Sequence, residues 1–468
     1  MVETFSCYHN ATKKRTHVDD AKSVNEMKQW IPWQLMLGFL FLCGTIQAQH
    51  AATETTEKSN WWKGNLHTHS LWSDGNDFPE MIVKWYAEND YHFLALTDHN
   101  ILSEGEKWFP IKSLAKRGAE SAMEKYRAAF GEEWVETRTL EKQKEEDEAV
   151  EQVRLRGLAE YRSKFEKSDR FLLMTGEEIS DRCDGLPIHM NATNLVNLLR
   201  PAGGKTVREV INNNMRAAME QAEKENRKIL VHLNHPNFGW AVTAEDLAFV
   251  TNERFFEIYN GHPAVRQEGD EKHPGLERMW DIANTIRIAQ MKEPPLFGLA
   301  TDDSHKYHDT KWSITGRGWV MVRSSNLTPN SLIESMYKGE FYASSGVELK
   351  SVTYDPATKR LTIEINAEEG ETYRTEFVGT KKGYDSKTEE QTDEEGKPIR
   401  TSRIYSEDVG MVFKAEDGTK VSYQLTGEEL YVRAIVRSSA APKCPSFKGQ
   451  LKTAWTQPVG WAELNHKD

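Results

Sequence analysis

Basic residues are in the minority in this chain. Sixty Lys and Arg stand against 72 Asp and Glu, a net charge of −12 over 468 residues. A nucleic-acid groove needs a basic surface, so that class of partner is not expected. Cysteine is scarce, with four in all. Cys183 and Cys444 lie far apart in sequence and do not by themselves establish a bridge. Three familiar catalytic signatures are missing: the G-x-S-x-G elbow, the Walker loop and the dinucleotide fingerprint. Gly203-Gly204-Lys205-Thr206 lacks the first glycine of a phosphate loop and follows no strand. It reads as a turn entering a helix around Val207–Lys224. No covalent nucleophile announces itself.

Long apolar runs are missing too. Residues 35–46 are apolar, but a bilayer span takes about 20 residues. With Ala48 close behind, the run reads as the core of a signal peptide. Met27-Lys28-Gln29-Trp30 makes a slightly basic start for one, so residues 1–48 are expected to be an export segment with its true start at Met27. The mature protein is then periplasmic or extracellular, with no stable membrane span. Cys43 raises a lipoprotein reading, although Phe41 and Leu42 are bulkier than a lipobox prefers.

What the chain does have is imidazole and carboxylate at the ends of apolar segments. Asn65-Leu66-His67-Thr68-His69-Ser70 continues to Ser73-Asp74-Gly75, and Ala95-Leu96-Thr97-Asp98-His99-Asn100 follows. His67 and His69 are two apart, so on a strand both point the same way. Such a pair with carboxylates beyond suits a borderline divalent metal. The pattern repeats at Gly176-Glu177-Glu178-Ile179-Ser180, Ile188-His189-Met190-Asn191, Asn234-His235-Pro236, Glu257-Ile258-Tyr259-Asn260 and Asp302-Asp303-Ser304-His305. Short apolar strands with chemistry at their C-terminal ends are how a (β/α) barrel builds its active site.

Seven such motifs in this order resemble the PHP (polymerase and histidinol phosphatase) superfamily of metal-dependent hydrolases, over residues 61–345. The resemblance implies a distorted (β/α)7 TIM-like barrel with two or three divalent metal ions, zinc, manganese or iron, inside its mouth. It also implies the ligands. His67, His69, Glu178 and Asp303 would hold one metal. Glu178 would bridge to a second, held by His189 and His235. Asp74, His99 and His305 would form the third set. Where two candidates are adjacent, the family pattern selects Glu178 over Glu177, because its glutamate directly precedes Ile-Ser. It selects Asp303 over Asp302 by the two-residue spacing to His305. His-Pro favours His235 over His232. Asp98 is expected either to orient a histidine ligand or to cap a loop. Cys183, near Glu178 and His189, reads as a buried thiol or a soft extra ligand. His262 and His308 match no ligand position.

Within the expected barrel, residues 104–168 form an insertion. The spacing of Val150, Val153, Leu155 and Leu158 predicts a helix with one buried stripe there, and the charged run 141–147 a solvated face. The insertion would be a cap over the mouth or a plain surface element. After Gly346 the residues turn strand-like, at 349–354, 360–365 and 430–437, so 346–468 is expected to be an all-β, sandwich-like accessory domain. Trp455 and Trp461 are expected to pack against the barrel.

The activity implied is hydrolysis of a small anionic phosphorylated substrate by metal-activated water, since a divalent metal lowers the pKa of bound water to about 7. Lys306 and Arg317 are the basic residues placed to meet a phosphoryl oxygen, with solvated surface charges as the alternative. Hydrolysis of a carbamate, ester or amide by the same cluster, or a non-catalytic binding role, are the other readings.

Overall fold

The computed structural model describes residues 59–141, 149–250, 252, 254–309 and 311–461. The export segment, and most of the charged run at 141–147, lie outside the described residues. Among the described residues no helix is long and apolar enough to cross a membrane.

Runs of β-branched and aromatic residues give seven strands of the main sheet between residues 60 and 301. They are β1 Asn60–Asn65, β2 Phe93–Leu96, β3 Leu172–Cys183, β4 Leu186–Thr193, β5 Leu230–Leu233, β6 Phe255–Asn260 and β7 Phe297–Thr301. Strands β2, β5, β6 and β7 are buried along their whole length, as expected for strands covered on both faces. Six more follow: β8 Trp319–Ser324, β9 Phe341–Ser344, β10 Tyr373–Lys381, β11 Met411–Asp417, β12 Glu429–Ser438 and β13 Thr453–Thr456. All thirteen belong to one sheet, ordered β7-β6-β5-β4-β3-β2-β1-β8-β9-β13-β12-β10-β11.

This corrects the expected TIM-like barrel, whose strands are all parallel. Here β1, β2 and β3 are parallel, as are β5, β6 and β7, but β4 runs antiparallel to both neighbours. The cause is local. Asp184 and Gly185 both have positive φ (49° and 82°), so the chain turns back in two residues and makes a hairpin instead of a helical crossover. The sheet nevertheless curls. Leu66, Phe93, Met174, Leu230, Phe255 and Leu299 share one buried cluster. Just beyond β1 and β7, His69 N donates to Ser304 O and Asp303 N donates to His67 O, each at 2.9 Å.

The C-terminal strands are β-rich as expected, yet they continue the same sheet. Strand β9 pairs with β13, so the site-bearing strands and the accessory strands are hydrogen-bonded neighbours. A separate three-stranded sheet, Leu349–Asp355, Arg360–Ile365 and Lys420–Gln424, accompanies them. Trp455 does pack inward, stacked on Tyr259 and donating Nε1 to Glu277 at 2.7 Å. The expected helix stands at Val207–Lys224, capped by Thr206, whose hydroxyl accepts from Glu209 N. Cys183 and Cys444 are free thiols, and Cys183 packs in the apolar core.

The insertion combines helix and strand, and the segment expected to be helical at Val150–Leu155 is a strand. Lys107–Pro110, Thr137–Leu140 and Val150–Leu155 form an antiparallel sheet of three strands, beside helices Lys112–Lys116, Ala122–Phe130 and Leu158–Phe165. Val153 and Leu155 are both fully buried. Their two-residue spacing serves a strand, where alternate side chains share a face, and Leu158 already belongs to the next helix.

This insertion docks on helix Pro79–Glu88 through a buried carboxyl. Tyr126 Oη and Trp134 Nε1 both donate to Glu80 Oε1, at 2.6 and 2.9 Å, while Oε2 has no hydrogen bond. Burial pushes the Glu80 carboxyl up to about 7, outweighing those two donors. In the unfolded chain it ionises near 4.5. Between these values the folded state holds the extra proton, so stability falls as pH rises from about 4.5 to 7 and is level above. The loss is on the order of 3 kcal/mol. Glu80→Gln is expected to flatten this slope. Urea unfolding of both proteins at pH 5 and pH 8 checks it, and an unchanged pH difference in the variant refutes it.

Candidate metal centre

Most of the polar motifs end on one edge of the curled sheet. His67 and His69 follow β1, and His99 follows β2. Glu178 and His189 sit on the β3–β4 hairpin, with Ser180 opposite His189. His235 follows β5, while Asp303 and His305 follow β7. Adjacent carboxylates separate as the strand pleat requires. Glu178 points into the cluster, whereas Glu177 points away and accepts from Leu199 N at 2.6 Å. Asp302 likewise turns away, accepting from the backbone of Gly316, Arg317 and Gly318 and from Tyr86 Oη. This leaves Asp303 in the left-handed region (φ 46°), which Asp tolerates better than most residues.

Glu178 is the hub. Its Oε1 lies 3.4 Å from His67 Nε2, 3.1 Å from His189 Nδ1 and 3.4 Å from His235 Nε2. Its Oε2 lies 3.5 Å from His69 Nε2 and 2.6 Å from His99 Nδ1, without hydrogen-bond geometry. Asn234 Nδ2 donates to Oε1 at 2.8 Å and fixes the carboxylate plane. Asp303 Oδ1 is 3.3 Å from His67 Nε2 and 3.2 Å from His69 Nε2, and the two Nε2 atoms are 3.2 Å apart. Asp74 lies 3.4 Å from His305 Nε2 and 3.5 Å from His99 Nε2.

Those spacings test whether a metal fits. A tetrahedral ion with bonds of about 2.0–2.1 Å has ligand–ligand edges of roughly 3.3–3.4 Å. His67 Nε2, His69 Nε2 and Asp303 Oδ1 form one such face, with edges of 3.2, 3.2 and 3.3 Å. Glu178 approaches it with a different oxygen towards each histidine, Oε1 at 3.4 Å from His67 and Oε2 at 3.5 Å from His69. Two ring nitrogens pointing at each other need a cation between them or a proton on one of them. The donor set, imidazole with carboxylate, suits zinc, manganese or iron. Four groupings qualify: His67/His69/Asp303, His99/Glu178/His189, His69/Asp74/His99/His305 and His67/His232/Glu257. His99 therefore stands between the second and third sets, one ring nitrogen towards each.

The charges agree with this. Burial alone would raise the Glu178 and Asp303 carboxyls, but the surrounding imidazoles hold both well below the usual range. Against the pull of burial, the same carboxylates raise the His67, His99 and His305 rings, so without a cation protons balance the acidic cluster there. For His69, burial and its neighbours His305 and His99 push the ring down to about 4, leaving one ring lone pair for a cation. The cluster also opens in one direction. His67 and His69 are fully buried, while the side chains of His99 and Asp74 are 29% and 54% exposed.

Supporting residues take roles that the sequence left open or did not assign. Glu257 Oε1 lies 2.7 Å from His67 Nδ1, so Nδ1 carries the proton and Nε2 is free to face the cluster. This is the usual support for a ligating histidine. The signal was visible as one glutamate inside an apolar strand. Asp98 takes the loop-capping role. It accepts from the backbone of Ser70 and Ser73 and from both their hydroxyls, and so holds the turn after His69. His232 is buried near Glu257 with no hydrogen bond on either ring nitrogen.

The two basic candidates do not meet the cluster. Arg317 is buried and its guanidinium donates to the carbonyls of Gly261, Cys444 and Pro445, which ties the C-terminal segment to the site-bearing strands. Lys306 lines a separate cavity of about 500 Å3 with Lys63, Lys125 and Lys443, and none of the nine candidate ligands lines it. Their expected contact with a phosphoryl group is corrected accordingly.

No family model matches the sequence, and no curated protein matches it. Solved structures do. One is a two-domain protein from Bacteroides vulgatus containing a predicted PHP-like metal-dependent phosphoesterase. It is 15% identical, with 86% of this chain and 96% of that chain covered and a TM-score of 0.38. Another, from Bifidobacterium adolescentis, is provisionally named a metal-dependent phosphoesterase. It is 13% identical, with 60% and 98% covered and a TM-score of 0.27. At these values the likeness carries no argument, and the reading of the site rests on its own residues.

Proposed function

We propose that this chain is a PHP-type metal-dependent hydrolase acting on a small phosphate ester. The observation that carries the reading is the triangle of donor atoms His67 Nε2, His69 Nε2 and Asp303 Oδ1, 3.2–3.3 Å apart, with the Glu178 carboxylate beside it. His67, His69 and Asp303 would hold one ion, His189 and His235 a second, and Asp74, His99 and His305 a third, with Glu178 shared. Bound divalent ions would supply hydroxide at neutral pH and positive charge for phosphoryl oxygens. The chain's own part is preorganisation. Glu257 keeps the His67 proton on Nδ1, Asn234 fixes the Glu178 plane, and Asp98 sets the turn that aims His69. The cluster is most open at Asp74 and His99, and His189 and His305 also reach the surface, so substrate would enter over these residues, away from the fully buried His67 and His69.

The full chain is expected to carry between two and three equivalents of zinc, manganese or iron. It should hydrolyse phosphomonoesters in preference to carboxyl esters, and lose turnover on chelation. Elemental analysis with an activity screen over phosphomonoesters, phosphodiesters and carboxyl esters tests this. A protein that holds no metal after reconstitution refutes the centre. One that holds metal but prefers carboxyl esters refutes the substrate class.

A further inference from the structure

Beside the cluster runs a chain of aromatic rings that metal binding does not require. The Phe238 ring lies 5.1 Å from His235 and 6.4 Å from His262, centroid to centroid. His262 in turn lies 5.6 Å from His305 and 5.4 Å from Trp312. The arc thus spans from a residue of the second set to one of the third, along one side of the opening. Its central member, His262, is held by hydrogen bonds. Ala264 N donates to His262 Nδ1 at 3.1 Å, and His262 N donates to Asn260 Oδ1 at 2.8 Å. Asn260 Nδ2 in turn donates to Asp303 and to Glu257. The wall is therefore keyed to the same carboxylates that define the centre.

The outer end of the arc is Trp312, which is 47% exposed. It is the one tryptophan among the exposed large apolar side chains of the described residues. A large ring left in solvent beside a polar cleft forgoes burial that any partner ring would restore. Flat aromatic surfaces held in place take planar partners by stacking, with little loss of side-chain entropy.

We propose that the substrate's leaving group is a planar ring that stacks on Trp312, with His262 and Phe238, each turned edge-on to its neighbour at 81° and 74°, lining the path back to the centre. The inference rests on the hydrolase reading and narrows it, to phosphate esters of aromatic or heteroaromatic groups.

Phenylphosphonate and methylphosphonate test it, because both carry the same unhydrolysable anion and differ only in the ring. Titration calorimetry on the metal-loaded full chain is expected to show phenylphosphonate binding about ten-fold more tightly. Trp312→Ala should cut that preference to about two-fold or less at unchanged metal content, and Trp312→Phe should keep most of it. Equal affinity of the wild-type protein for the two probes overturns the proposal and leaves the hydrolase reading standing. So does a preference that survives Trp312→Ala. Binding of neither probe with metal in place overturns both.

Discussion

Glu178→Gln is expected to empty most of the centre, while Glu177→Gln next door leaves metal content near the wild-type value. Both changes keep shape, but burial pushes the Glu177 carboxyl up to about 8 while the imidazoles hold Glu178 well below the usual range, so at neutral pH only Glu178→Gln removes a negative charge. Only Glu178 stands among five imidazoles, within 2.6–3.5 Å of each. A neutral amide there cannot offset two cations, and its NH2 group would point a donor at ring nitrogens that need an acceptor or a cation. We expect hydrolysis to fall by at least about a hundred-fold, the upper range for loss of a residue that supports metal binding. His189→Ala and His235→Ala should be milder and deplete mainly one ion. Metal analysis of the four variants decides the matter. If Glu177→Gln empties the site and Glu178→Gln does not, the assignment of this strand end is off by one residue.

The second large effect lies far from the centre. Arg433 on β12 meets Asp281 on helix Leu276–Thr285 through two hydrogen bonds, Nε to Oδ1 at 2.9 Å and Nη2 to Oδ2 at 2.6 Å. Tyr431 Oη adds a third donor to Oδ1 at 2.7 Å. Arg433 is fully buried over the Trp280 ring. Removing one partner strands the other charge without water, which costs about 3–5 kcal/mol. Asp281→Ala should therefore lower the urea midpoint strongly. Asp281→Leu combined with Arg433→Leu should recover much of the loss, because no charge is then left buried. A double variant as unstable as the single one would show that the pair stabilises beyond the cost of burying it.

Much of the centre was legible because its signals are local. Two histidines two residues apart on a strand end must share a face. Glu178 and Glu177 must point to opposite faces. Asp303 and Asp302 are likewise split, one to the cluster and one to the turn at Gly316–Gly318. Supporting roles were less legible because they depend on neighbours distant in sequence. Glu257 reaches His67 across 190 residues, and no spacing rule registers that. Asp98 serves the turn after His69 because hydroxyls and amides of Ser70 and Ser73 converge on it. Two misreadings had local remedies. The Asp184-Gly185 pair is a hairpin signal, and it explains why β4 breaks the parallel order. Val153 and Leu155 fit a two-residue period as well as a helical one. In so short a segment period alone does not decide between strand and helix. Arg317 and Lys306 were placed by proximity in sequence to His305, and proximity along a loop says little about where a long side chain ends.

Strand β1 is sealed on one side by β8, where Trp62 Nε1 donates to Ser324 O across 262 residues. This fixes an order of events during synthesis. As the chain leaves the ribosome, the strand that leads into His67 and His69 is made early, and one of its edges stays open until β8 has emerged. The ligands after β7 also arrive late. The nascent protein thus holds two of its six candidate histidine ligands next to an unfinished, adhesive edge for much of translation, the state in which strands mispair and chaperones are needed. If the proposed centre binds metal, acquisition would be a late step, coupled to the closing of β1 by β8. A ribosome-stalled chain ending before residue 319 should be unable to hold the ions that the complete chain retains.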